Sequence, residues 1–431
     1  MTKLRLCVLF WLLLCDARGA MSTNEKFLLT QVGSLVPKAQ SYMDLFRDSA
    51  LSPVPYHKFG MQQPPIFFYY PKLKQKVSFV SLGDFFSPIQ KIDQLCPQSQ
   101  TPYVYMKRDD LNGPLDSNGL RVVGGNKVRK LEFFLGDALA RNARTVMTFG
   151  CAGSNHALAT AVYANLVGLK AISILRPQQN SSIVRRNLLL QNYYGAELHE
   201  YPNSEWRCLG GFCTFLRHKQ VYGEYPYFIP TGGTCPLGEL GFINAAFELK
   251  QQIERGDMPE PDYIYVPLGS MGTTVGLMIG LKAAGLKTRV VAVRVDDYEG
   301  ANEQTCLPLL REAVAFIHSL DPSFPLLEFG LEDLVIAHDF FGQGYGVATS
   351  EALQAMSAMR DTYGINLDGT YSGKTVAALL HDLQKPEMKD KTVLYWNTFC
   401  GLDYSSIISQ DSYTQLPCCF YKYFENDIQK S

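Results

Sequence analysis

From about Tyr103 onward, short runs of β-branched and aromatic residues alternate with amphipathic segments whose apolar positions recur at helical spacing. The runs Tyr103–Lys107, Thr145–Phe149, Ala171–Leu175, Tyr263–Leu268, Val290–Val295 and Thr392–Trp396 predict strands. Val128–Arg141, Asn155–Leu166, Ile183–Tyr194, Gly238–Arg255, Thr273–Ala284, Glu303–Ser319, Ser350–Tyr363 and Gly373–Gln384 predict helices. This alternation implies an α/β fold, a mainly parallel sheet covered by helices on both faces. The turn-rich stretch "PTGGTCPLGELG", Pro230 to Gly241, is the candidate domain crossing, and the proline-rich residues 22–100 read as an irregular lead-in.

Composition narrows the function classes. With 431 residues, 46% hydrophobic and 19% charged, the chain is long enough for two domains with substantial cores. Lys plus Arg, 40, balances Asp plus Glu, 41, so no net field recruits nucleic acid or an anionic membrane, and a small-molecule function is favoured. Eleven scattered cysteines without a C-x-x-C pair indicate neither a zinc site nor a disulfide scaffold. The first 20 residues carry Lys3 and Arg5, an apolar run from Leu6 to Leu14, and small residues Ala17 and Gly19. They resemble a removable secretory signal, too short for a stable membrane span. Met21 is an alternative start, so a cytoplasmic location is expected if the chain begins there and export if residues 1–20 act as a signal.

Ligands of open α/β sheets gather beyond the carboxyl ends of the strands, and four such loops carry polar residues. In "GGNKVRKLE" Lys127 follows Gly124, Gly125 and Asn126 where a loop becomes a helix. The positive end of the helix dipole disfavours a cation there, so Lys127 should lose its proton readily, which suits Schiff-base chemistry, and Asn126 could cap the helix. "GSMGTT", comprising Gly269, Ser270, Met271, Gly272, Thr273 and Thr274, is a glycine-rich turn opening a helix, able to hold a lone phosphate. "GCAGSNHA" brings Ser154 and Asn155 to another strand-to-helix turn, where Ser154 alone could be an N-cap. Tyr345, Tyr371, Ser372 and Thr398 lie in the last set.

A phosphate cradle, an activated lysine and an asparagine-bearing loop together match the needs of pyridoxal 5'-phosphate: an anion site, an imine partner and a polar group for the ring hydroxyl. The order of these loops resembles the tryptophan-synthase-β-like (fold type II) pyridoxal-phosphate enzymes. Within them, "KRDDLNG", "GGNKVRKLEF", "GSNHALATA", "IPTGGTCPLGELGF", "GSMGTTVGL" and "TYSGKTVAAL" resemble the D-cysteine desulfhydrase and 1-aminocyclopropane-1-carboxylate deaminase family, over about residues 75–405. The resemblance implies two open twisted α/β domains with the cofactor in the cleft between them: a discontinuous larger one of residues 21–130 and 241–431, and a smaller one of 131–240. It also implies that Lys127 bonds the cofactor, Lys130 assists the phosphate, Asn155 meets the ring hydroxyl, and Ser154 faces the substrate. Tyr345 and Tyr371 would line the substrate side, and the chain would form a homodimer; no metal is expected, since the residues themselves offer no metal-ligand spacing.

Deaminases of that family carry a glutamate and a leucine where this chain has Ser372 and Thr398, and desulfhydrases carry hydroxyl residues. A neutral hydroxyl makes the cofactor ring a weaker electron sink, adequate when a good leaving group sits on Cβ. The resemblance therefore implies α,β-elimination on a small amino acid, D-cysteine foremost. The deaminase, and a cofactor-binding pseudoenzyme serving as an amino-acid sensor, are the alternatives. The chain departs from the family at Phe399 and Cys400, in the insertion Pro114–Val123, and at Cys151–Gly153.

Overall fold

The computed structural model describes residues 58–59, 63–95, 103–297 and 299–428. The expected signal at residues 1–20 lies outside them, as do Cys7, Cys15 and Cys96. In chain order the strands are β1 (Lys58–Phe59), β2 (Phe79–Val80), β3 (Ile89–Lys91), β4 (Tyr103–Arg108), β5 (Thr145–Cys151), β6 (Lys170–Arg176), β7 (Glu197–Glu200), β8 (Tyr227–Ile229), β9 (Tyr263–Leu268), β10 (Arg289–Arg294), β11 (Val335–Ala337) and β12 (Thr392–Asn397). The long helices are α1 (Asn126–Ala140), α2 (Asn155–Leu166), α3 (Ser182–Tyr193), α4 (Ser204–Tyr222), α5 (Pro236–Glu254), α6 (Gly272–Ala283), α7 (Glu303–Leu320), α8 (Ser350–Tyr363) and α9 (Ser372–Asp382).

Two compact units result. In the larger, residues 58–142 and 230–407 of the described chain, the sheet runs β11-β10-β9-β12-β4-β3, parallel except for β3 at its edge. The smaller, residues 143–229 and 408–428 of the described chain, has the all-parallel order β7-β6-β5-β8. Every residue of β5 and of β12 is buried, which is why their sequences are apolar on both faces.

These units differ from the boundaries expected at 131 and 240. Helix α1 stays whole in the larger unit because it is buried there on all sides from Val128 to Ala138, charged residues included. Residues 408–428 belong with the smaller unit because Leu416, Phe420 and Tyr423 are buried against Leu188, Leu189 and Leu198. Helix α4 and strands β1, β2, β3, β7, β8 and β11 were not read from the sequence; the first three strands fall in the stretch read as an irregular lead-in, and β3 edges the larger sheet. The two glycines inside α4 lower helix propensity, yet they let it approach the sheet: a Cβ on Gly211 would lie 2.5 Å from the Phe149 ring. Among the described residues no helix is long and apolar enough to cross a membrane.

Candidate active site

Helix α1 starts where it does because Gly125 precedes it at φ 109°, a conformation that L side chains rarely adopt. Space demands the glycine too, since a Cβ there would lie 2.7 Å from the Thr398 carbonyl oxygen. That carbonyl accepts the Asn126 N–H at 3.1 Å. Asn112 grips Gly125 with both amide atoms, accepting its N–H at 3.0 Å and donating to its carbonyl at 3.2 Å. Lys127 is thus the second residue of the helix. Asn126 does not cap it, as its sequence position had suggested; its amide instead donates to Thr273 Oγ1 at 3.0 Å, tying the start of α1 to the start of α6.

Lys127 is partly buried, and among the described residues its Nζ has no hydrogen-bond or ion-pair partner. Its pKa lies well below the ordinary lysine value, first through burial and then through the cation of Lys130. Lys130 is fully buried and donates to the Gly232 carbonyl at 3.1 Å. Burial brings its pKa down to about 8, against the pull of Glu239 and Cys235.

Glycines bring these residues to the Gly269–Thr274 turn. A Cβ on Gly241 of α5 would stand 2.6 Å from the Arg129 carbonyl carbon, and one on Gly276 of α6 would stand 2.5 Å from Phe242 Cβ. Helices α1, α5 and α6 therefore pack backbone to backbone, and a Cβ on Gly272 would lie 2.6 Å from Lys130 Nζ. In the turn itself Met271 adopts φ 64°, and Thr234 Oγ1 donates to the Ser270 carbonyl at 2.7 Å. The first-turn N–H groups of Thr273 and Thr274 have no acceptor within the helix. Thr274 Oγ1 is buried and, among the described residues, makes no hydrogen bond.

The other expected residues of the larger unit gather around the same turn or its neighbours. The Tyr371 ring is 3.3 Å from where a Gly269 Cβ would be, and its hydroxyl hydrogen-bonds that of Tyr345, the rings meeting edge to face at 5.8 Å. Ser372 is fully buried, its Oγ donating to Asp368 Oδ1 at 2.5 Å and accepting the Asp368 N–H at 2.7 Å. Thr398 is buried, and its carbonyl is the one that meets Gly125. Phe399 and Cys400, the departures noted above, are buried, with Cys400 Sγ 3.3 Å from the Tyr404 hydroxyl.

Ser154 and Asn155 lie in the smaller unit, at the turn from β5 to α2. Ser154 is the N-cap of α2, accepting the Ala157 N–H at 3.2 Å. Asn155 Oδ1 accepts from Asn187 Nδ2 at 2.9 Å.

Sequence reading missed the support beneath the lysine helix. Arg129, fully buried, donates to Asp109 Oδ1 at 2.7 Å and to Glu248 Oε2 at 2.8 Å, and Lys107 donates to Glu248 Oε1 at 2.5 Å. Trp396 Nε1 donates to Asp109 Oδ2 at 2.7 Å. Burial acts to raise the Glu248 pKa, but Arg129 and Lys107 outweigh it and hold the carboxyl at about 2. The alternation of Lys, Arg and Glu in "NKVRKLE" was the available signal: a helix turn this charged yet flanked by apolar residues needs partners inside.

The family described as "Pyridoxal-phosphate dependent enzyme" matches residues 80–398. The chain belongs to this family. It is 33% identical, over 65% of its length and 68% of the relative's, to a mitochondrial bifunctional D-cysteine desulfhydrase/1-aminocyclopropane-1-carboxylate deaminase of Arabidopsis thaliana. It is 32% identical, over 76% of its length and 93% of the relative's, to a putative 1-aminocyclopropane-1-carboxylate deaminase of Pyrococcus horikoshii. The crystal structure of an ACC deaminase homologue superposes with a TM-score of 0.65 at 30% identity, covering 79% of this chain and 96% of that one. The fold is thus that of the fold-type II pyridoxal-phosphate enzymes.

The residues of the larger unit fit the family's cofactor. An amine with depressed basicity suits an aldehyde, a buried ammonium against Gly272 suits a phosphate, and the partnerless Thr274 hydroxyl is a donor that an anionic oxygen would satisfy.

Proposed function

We propose that the chain catalyses α,β-elimination on a small amino acid, with D-cysteine as the foremost substrate: D-cysteine and water give pyruvate, hydrogen sulfide and ammonia. The observation that carries the reading is the depressed basicity of Lys127, in the same unit as a glycine turn backed by Lys130. Lys127 would hold the cofactor covalently. Lys130, with the Gly269–Thr274 turn, would hold its phosphate, and Asn155 its ring oxygen. Bound pyridoxal phosphate supplies an electron sink that acidifies the substrate Cα–H and lets a Cβ substituent depart with its electrons. Lys127 Nζ, an amine of lowered basicity, would also be the group that accepts the substrate α-proton. Ser154 would orient the substrate, and the paired hydroxyls of Tyr345 and Tyr371 would line its path.

Ser372 and Thr398 favour the desulfhydrase over the deaminase. Both are hydroxyl residues where the resemblance gives deaminases a glutamate and a leucine, and neither is itself the carboxylate that ring opening of a cyclopropane calls for; the Ser372 hydroxyl is held by Asp368. The names of the relatives include both activities, so the deaminase is the second reading. The test is a substrate panel: pyruvate and sulfide from D-cysteine are expected, little product from L-cysteine, and little 2-oxobutanoate from 1-aminocyclopropane-1-carboxylate. Product from the cyclopropane acid alone would establish the deaminase instead; a cofactor-loaded chain that turns over none of them would be a sensor.

We further propose a homodimer, as the resemblance implies, which sedimentation of the purified chain tests. The location depends on the fate of residues 1–20, which N-terminal sequencing of the chain isolated from cells reads directly.

A further inference from the structure

Helix α3 sends Asn187, fully buried, toward the loop that carries Ser154 and Asn155. Its Nδ2 donates to two acceptors, the Gly153 carbonyl and Asn155 Oδ1, each at 2.9 Å. Which end of an amide is nitrogen follows from its partners. The Gly153 carbonyl can only accept, so the Asn187 atom facing it is the nitrogen, and the Asn155 atom that this nitrogen also reaches must be the oxygen. The remaining Asn187 atom, Oδ1, accepts from Arg186 Nε at 3.2 Å and Nη2 at 3.1 Å, which agrees. Asn155 is thereby fixed with its oxygen occupied, and among the described residues its Nδ2 has no protein acceptor. The loop is held from the other side as well, since Gly153 N–H donates to Gln178 Oε1 at 3.1 Å.

We propose that Asn187 is a positioning residue that sets the polarity of Asn155, so that Asn155 presents two N–H donors, and no acceptor, to an anionic ring oxygen of the cofactor. The inference rests on the cofactor reading given above. A freely rotating Asn155 would be turned by the anion itself at the cost of ordering it on binding; Asn187 holds the donor orientation in advance. This role differs from simple loop support, because the same side chain bonds the loop backbone and the amide that the loop displays.

The test uses the full-length holoprotein with Asn155→Ala, Asn187→Asp, Asn187→Leu and the double variant Asn155→Ala/Asn187→Asp. Asn187→Asp has nearly the same shape but only accepts, so it would turn the Asn155 amide round. Asn187→Leu removes the donor without adding charge and serves should the aspartate variant fail to fold. Each variant is read by cofactor affinity and by the visible absorbance of the bound cofactor, with circular dichroism to report folding. We expect cofactor binding about tenfold weaker or more in Asn187→Asp, the scale of one misdirected hydrogen bond to a charged group, and a loss of visible absorbance toward shorter wavelength. On the Asn155→Ala background the aspartate substitution should add little, because a residue acting through Asn155 has nothing left to orient. A wild-type cofactor band that both Asn187 variants leave unchanged would overturn the proposal alone, as would a full additional effect in the double variant. Absence of any cofactor band in the wild-type chain would overturn the cofactor reading and the proposal together.

Discussion

At the scale of single residues, the side chain with the strongest chemical consequence is Lys127, which has no counter-ion among the described residues. Burial and the neighbouring Lys130 hold its pKa well down, so the free amine, the form able to attack an aldehyde, is populated at a pH where an exposed lysine is protonated. Lys127→Ala is expected to bind the cofactor without forming the borohydride-sensitive visible band of the wild type, at unchanged circular dichroism; a surviving band would place the covalent bond elsewhere. Glu132, five residues on, is perturbed in a different way. Burial raises its carboxyl to about 8, although Oε1 accepts the Leu82 N–H at 3.0 Å. Since the folded chain holds this proton and the unfolded chain releases it near pH 4.5, the stabilisation is complete below that pH and is lost as pH rises through 8. Glu132→Gln keeps an oxygen acceptor and removes the titration. The stability advantage of wild type over this variant should therefore shrink between pH 5 and 8, by at most about 1.4 kcal/mol per pH unit, as measured by denaturant unfolding at each pH.

At the scale of elements, the geometry depends on how closely three helices approach. Gly241 and Gly276 remove the side chains that would hold α1, α5 and α6 apart, and the approach delivers Lys130 to the start of α6. Gly272→Ala places a methyl 2.6 Å from Lys130 Nζ and 3.0 Å from Thr234 Oγ1. The helix tolerates alanine well, so secondary structure should persist while cofactor affinity falls about tenfold, the equivalent of roughly 1.4 kcal/mol; titration of the apoprotein with pyridoxal phosphate measures it. Beneath α1 the Arg129, Asp109, Glu248 and Lys107 network matches each buried charge with an opposite one. Removing one partner of such a network typically costs about 3–5 kcal/mol, because a charge is left buried without compensation.

At the scale of the whole molecule, the chain crosses between its two units more than once. It leaves the larger one at 142, re-enters it at 230, and returns to the smaller at 408. The returning segment is a structural part of the smaller unit: Phe420 is fully buried, and the Tyr423 hydroxyl donates to Glu200 Oε1 at 2.6 Å and accepts the Gln178 N–H at 3.3 Å. Gln178 in turn accepts the Gly153 N–H, so the far end of the chain supports the loop that displays Asn155. Deleting residues 408–428 should strip several buried apolar side chains from that unit, each worth about 1.5–3 kcal/mol of burial. Thermal melting and limited proteolysis are expected to show an early, separate loss of residues 143–229; a melting profile like that of the intact chain would contradict this.

What the sequence determined by itself was local. Side-chain character repeats over a few residues in helices and strands, so the core strands, most helices, and the glycine loops that carry Lys127, Asn155 and Gly269–Thr274 were legible without coordinates. Helix α4 was not, because its glycines report a neighbour, the Phe149 ring, that sequence spacing does not reveal. Tertiary structure alone decided the rest. It paired Arg129 with Glu248 across 119 positions and Trp396 with Asp109 across 287, fixed Asn155 through Asn187, and brought residues 408–428 back to the smaller unit. It also added burial and the neighbouring Lys130 as causes that lower the Lys127 pKa. The physical reason is the same in each case: how far a group is desolvated, and which distant group it meets, are properties of the packed chain and of no segment within it.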